Sequence, residues 1–97
     1  MSLREQQSEF ALKVAELIQW AYAQGYEITF GDAWAMDGHK MGSFHYKRLA
    51  IDLNLFKDGV WLSETEDFKP LGDYWLSIVG TWGGKWNDGC HFSWGEK

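Results

Sequence analysis

The chain has 97 residues, a formal net charge of −5, seven Trp and a single Cys, and 45% of its residues are hydrophobic. This length suits one small domain that buries roughly 60–65% of its unfolded surface, and the composition is that of a globular chain, not a disordered one. The acidic balance argues against a nucleic-acid binder, which gains affinity from clustered Lys and Arg. The lone Cys90 rules out an internal disulfide and any zinc site that needs two cysteines of this chain.

Met1 to Gln7 has no apolar run behind its charges, so no secretion signal is expected there. No apolar stretch approaches the ~20 residues of a membrane span. Phe10, Val14, Leu17, Ile18 and Ala21 share one helical face, which predicts a helix over about 8–24 stopped by Gly25. Residues 26–30 alternate and are rich in β-formers, so they read as a strand, and the glycine-containing stretch 31–42 reads as a loop. Residues 49–56 form an apolar strand interrupted by Asp52 and Asn54. Asp58-Gly59 suits a tight hairpin turn into a returning strand at Trp61-Leu62. Residues 63–69 read as polar loop. Pro70 then opens a helix with Leu71, Trp75, Ile78 and Val79 on its face and Gly80 at its end. Residues 82–89 read as a Gly-rich loop, and 91–94 as a short last strand. The expected architecture is α+β: a small antiparallel sheet with helices packed on one side, over residues 1–97 as a single domain.

Three polar residues stand out. Asp52 lies inside an apolar strand, where an unpaired carboxylate is expensive. By itself it reads as an exposed or salt-bridged residue on a one-sided strand. Alone, His45 reads as a surface loop residue and His91 as a structural residue opening the last strand. Together they fit one chemistry. A catalytic zinc takes three His or carboxylate ligands and keeps a fourth position open. A second carboxylate must then move the proton of the attacking water to the leaving amine. Asp88, three residues before His91, is placed for that role.

Ser43-x-His45-x6-Asp52 resembles the first metal motif, S-x-H-x6-D, of the D-alanyl-D-alanine carboxypeptidase and L-alanyl-D-glutamate endopeptidase family. Asp88-x-x-His91 is similar to the family's second motif, acid-x-x-H. The flanks 49–56 and 81–84 look like the phage endolysin branch. The resemblance runs from about Tyr26 to Phe92. It implies the Hedgehog/DD-peptidase fold, one Zn2+ held by His45, Asp52 and His91, and Asp88 as proton shuttle. It also implies a peptidoglycan stem peptide as substrate, cut between L-alanine and D-glutamate. Synthesis in the cytoplasm (the host's, if phage-encoded) and action on the wall after release go with it; a monomer is expected, and the acidic charge speaks against nucleic-acid partners.

Two departures from the family pattern bear on substrate binding. Arg48 stands where the motif carries Gly, and no Arg follows the early strand. Preorganised positive charge at an oxyanion is worth about 3–4 kcal/mol. Arg48 is therefore the candidate cation for the oxyanion or a substrate carboxylate, with Lys47 and Lys40 behind it, and Ser43 is expected to orient the ligand loop or the substrate. His39 is a further ligand candidate. Trp82, Trp86 and Trp94 read either as packing or as a substrate-lining set. Cys90 and His91, being adjacent on a strand, point to opposite faces and do not form a nucleophilic pair. The alternatives are a D,D-carboxypeptidase or dipeptidase, and a catalytically weak, zinc-stabilised binding module.

Overall fold

The structure is a computed structural model that describes residues 2–31 and 48–94. Its described residues form an α+β arrangement, with two α-helices and a five-stranded antiparallel sheet. Helix α1 spans Leu3–Ala23, five residues earlier than the apolar stripe indicates. Its start is set by polar chemistry. Ser2 Oγ accepts from the Glu5 amide at 3.1 Å, and Glu5 Oε1 accepts from the Ser2 amide at 2.9 Å. This capping box satisfies two amide donors and typically adds about 1 kcal/mol. Phe10, Val14, Leu17 and Ala21 are the buried face, and Gly25 takes the left-handed conformation just past the end.

Strand β1 (Glu27–Phe30) pairs with β2 (Ala50–Lys57), which turns through Asp58-Gly59 into β3 (Val60–Leu62). Both turn residues have positive φ, 54° and 77°. That is the mirror-image turn whose twist matches a right-handed strand pair, and Gly59 adopts it without steric cost. The stretch expected to be polar loop contains instead a 3-10 helix, Thr65–Phe68. The Glu64 amide donates to Asp67 Oδ2 at 3.1 Å, and Phe68 is driven into the core.

Helix α2 spans Lys69–Ser77 with Pro70 in its first turn. It ends before Ile78 and Val79, so Val79 does not belong to the helical face: its φ is 72° and its side chain is 80% exposed. The Gly-rich stretch is also more regular than a loop. It holds β4 (Thr81–Trp82) and a 3-10 turn over Gly83–Trp86, before β5 (His91–Ser93).

Strand β2 is the axis of the sheet. One edge pairs with β1; the other pairs with β5 at Ala50–Asp52 and with β3 at Leu55–Lys57. Strand β4 lies outside β5. Ile51, Leu53 and Leu55 face the helices, joined by Phe92, Phe68, Leu71 and Trp75 in one core. Strand alternation therefore turns Asp52, Asn54 and Phe56 to the opposite face.

Candidate metal and catalytic site

The register of β2 with β5 sets Asp52 directly opposite His91. The two residues are 39 positions apart in sequence, and they meet on the face of the sheet away from the helices. His91 Nδ1 lies 3.7 Å from Asp52 Oδ1, longer than a hydrogen bond, and Oδ1 is a buried oxygen. The other ring nitrogen, Nε2, lies 3.2 Å from Ser93 Oγ. Ser93 Oγ is in turn 3.5 Å from the Thr81 carbonyl, which can only accept. The hydroxyl thus bridges the imidazole and the Thr81 carbonyl. The Nδ1 edge of the ring faces Asp52.

That spacing is compatible with two ligands of one metal ion. Two ligands each about 2.0–2.2 Å from one tetrahedral ion stand roughly 3.4 Å apart, close to the 3.7 Å seen here. A ligating His whose second nitrogen is held by an outer partner is the usual arrangement around zinc, and Ser93 supplies that partner. Ser93 was not singled out from the sequence. Its signal was there, since in His91-x-Ser93 residues two apart on a strand share a face. Among the described residues no group of three His, Cys, Asp or Glu side chains is assembled. His45, Ser43, His39, Lys40 and Lys47 lie outside the described residues.

Asp88 precedes β5 in a turn closed by backbone hydrogen bonds. Its amide donates to the Gly83 carbonyl at 2.9 Å, and its carbonyl accepts from the His91 amide at 3.1 Å. Gly83 permits this turn by lacking a side chain. A Cβ there would run into the Asp88 carbonyl and come within 3.0 Å of His91 Cβ. The Asp88 carboxylate takes the Cys90 thiol, Sγ to Oδ1 at 3.5 Å. Burial first, then the negative charges of Asp52 and Asp88, push the Cys90 thiol up to about 12. A thiol so disfavoured as thiolate is no nucleophile. Cys90 lies in the turn before β5, half-buried, and packs against the core.

Arg48 is exposed at the entrance to β2 with a φ of 58°. It lines a groove of about 460 Å³ between α1 and the sheet, with Phe10, Val14, Phe30 and Ile51. Ile51 belongs to the helix-facing side of β2, so this groove opens on the side away from Asp52. The three tryptophans near the second motif divide. The half-buried Trp82 donates Nε1 to the Gly89 carbonyl at 2.7 Å and lies against Gly72 of α2. Trp94 packs on the core. Trp86 is 52% exposed, its ring centroid 6.0 Å from that of His91. Of these three, Trp86 is the one in ring contact with His91.

A model of the D-alanyl-D-alanine carboxypeptidase family matches residues 36–94, more than half of the chain. The chain belongs to this family of peptidases, and the matched stretch contains both motifs, from Ser43 to His91. No curated protein gave a match.

Proposed function

We propose that the chain is one zinc peptidase domain that hydrolyses an amide bond in the peptidoglycan stem peptide, as an L-alanyl-D-glutamate endopeptidase of the phage endolysin type. The observation that carries this reading is the opposition of Asp52 and His91, donor atoms 3.7 Å apart, within a stretch matched by a peptidase family. His45, seven residues before Asp52, would be the third ligand. Zinc bound there would supply a Lewis acid for the scissile carbonyl and an acidified water.

The chain's own groups do the rest. Ser93 holds the His91 ring with its Nδ1 edge towards Asp52. Asp88 takes a proton from the attacking water and returns it to the leaving amine, and the Cys90 thiol fixes one oxygen of that carboxylate. Ser43 orients the ligand loop or the substrate; Arg48 lines the helix-side groove and would serve the oxyanion or a substrate carboxylate only by reaching round to the Asp52 face. The domain acts on the wall after release from the cytoplasm in which it is made. Membership of a D-alanyl-D-alanine carboxypeptidase family favours a second reading, a D,D-carboxypeptidase, which would need a cation for the substrate's terminal carboxylate.

Elemental analysis of the purified chain tests the ligand set. One zinc per chain is expected in wild type, with loss in His45→Ala, Asp52→Ala and His91→Ala. Asp88→Asn should retain zinc while wall hydrolysis falls about a hundredfold, the usual scale for a general base. Full zinc in His45→Ala and His91→Ala would end the proposed ligand set, and zinc loss in Asp88→Asn would make Asp88 a ligand.

A further inference from the structure

The face of the sheet that carries Asp52 and His91 does not end with them. Along β2 it continues through Asn54 to Phe56, four residues or about 13–14 Å from Asp52. The register then extends it sideways. Thr29 of β1 stands opposite Asn54, and the Asn54 amide donates to Thr29 Oγ1 at 3.2 Å. Phe56 has Glu27 of β1 on one side and Trp61 of β3 on the other. The strip thus passes from the candidate metal ligands to an oriented amide and then to an aromatic pair beside an exposed carboxylate. Trp61 is 63% exposed. A single exposed aromatic needs no explanation, but this one is the cross-strand partner of Phe56, on the face and strand axis of the candidate site.

The chemistry of the strip selects its ligand. β2 is hydrogen-bonded on both edges at Leu55, so its backbone groups are already used in the ladder. A peptide added as a further strand would need a free edge, and the middle of this sheet face has none. It offers only side chains: an apolar plane, an amide and a carboxylate. A pyranose ring has the matching surface, with C–H groups on its faces and hydroxyls around its rim. Stacking on an indole buries the former, and Asn54 and Glu27 can satisfy the latter.

We propose that Phe56 and Trp61, with Asn54 and Glu27, form a saccharide subsite that holds the glycan strand of the wall polymer while its stem peptide lies over Asp52 and His91. This assignment rests on the wall-peptidase reading and specifies which part of the polymer lies where.

The test uses a probe without a stem peptide. Titration of the intact protein with a tetrasaccharide of N-acetylglucosamine, followed by the indole and side-chain amide resonances, should give saturable shifts at Trp61 and Asn54. Trp61→Ala should weaken binding at least about tenfold, ~1.4 kcal/mol. In hydrolysis, Trp61→Ala should raise KM for glycan-linked wall fragments about tenfold more than for free stem peptide. Unaltered saccharide affinity in Trp61→Ala, shifts confined to other residues, or equal losses on the two substrates would overturn the subsite. Failure of the wild type to hydrolyse either substrate would sink the peptidase reading alone, because the titration reads Trp61 without turnover.

Discussion

Arg48 holds a φ of 58°, a conformation that glycine adopts freely and that costs a residue with a Cβ about 1 kcal/mol or more. This accounts for the glycine that the family motif carries at that position. It also means that a chain with Arg there keeps a local strain, with a guanidinium in return. Arg48→Gly is expected to raise unfolding free energy by about 1 kcal/mol, measured by urea denaturation. If the guanidinium also serves the substrate as proposed, the same variant should lose about tenfold in kcat/KM on wall fragments. Wild-type turnover in Arg48→Gly would remove Arg48 from the substrate-binding set. At this scale the sequence marked Asp52 as anomalous because a carboxylate interrupts an apolar strand. It did not mark Ser93, whose part depends on the ring nitrogen of His91 that it meets.

Among the elements, the sequence located the hairpin most sharply, because Asp58-Gly59 prescribes its turn and the alternation of β2 prescribes its faces. The end of α2 was harder to read. Val79 and Gly80 close it with two bonds, the Val79 amide to the Leu76 carbonyl at 3.2 Å and the Gly80 amide to the Trp75 carbonyl at 2.9 Å. This is a Schellman motif one residue out of phase with its glycine: the left-handed position falls on Val79, not on Gly80. A β-branched residue is poorly suited to that conformation, and its 80% exposure recovers little burial in exchange. Val79→Gly should therefore stabilise the fold by about 1 kcal/mol, read as a higher urea midpoint at unchanged slope. A lower midpoint would show that the valine side chain contributes more than its backbone costs. The apolar periodicity Leu71, Trp75, Ile78 pointed past the true end, since periodicity records which residues are apolar and not where the backbone reverses.

In the molecule as a whole, Trp75 couples the core to the site. It is fully buried, and both Phe10 of α1 and Phe92 of β5 meet its ring edge-on at 6.0 Å. Its Nε1 donates to the carbonyls of Ser93 at 2.9 Å and Thr81 at 3.1 Å. The helical layer thus fixes the two strands that carry His91, Ser93 and Thr81. Trp75→Phe keeps an aromatic ring but removes the donor shared by those two carbonyls. Unmet buried acceptors and lost volume together should cost about 2–4 kcal/mol. If zinc binds His91 as proposed and Ser93 orients that ring, zinc affinity measured by competition with a chelator should also fall, whereas a variant that weakens the core away from β5 should leave it unchanged.

Composition and pattern alone established an acidic globular α+β chain without a disulfide, the order of its main helices and strands, and two short motifs of metal-ligand type. These follow from local chemistry: side-chain period, turn residues, and the cost of a carboxylate among apolar neighbours. Only the tertiary structure decided that Asp52 and His91 are cross-strand partners with donor atoms facing each other, that Cys90 turns into the core, and that Arg48 borders the groove on the helix side. The strip from Asp52 to Trp61 belongs with these. Its residues come from separate strands, and strand register, which depends on long-range packing of Ile51, Leu53, Leu55 and Phe92 against the helices, is what aligns them on one face.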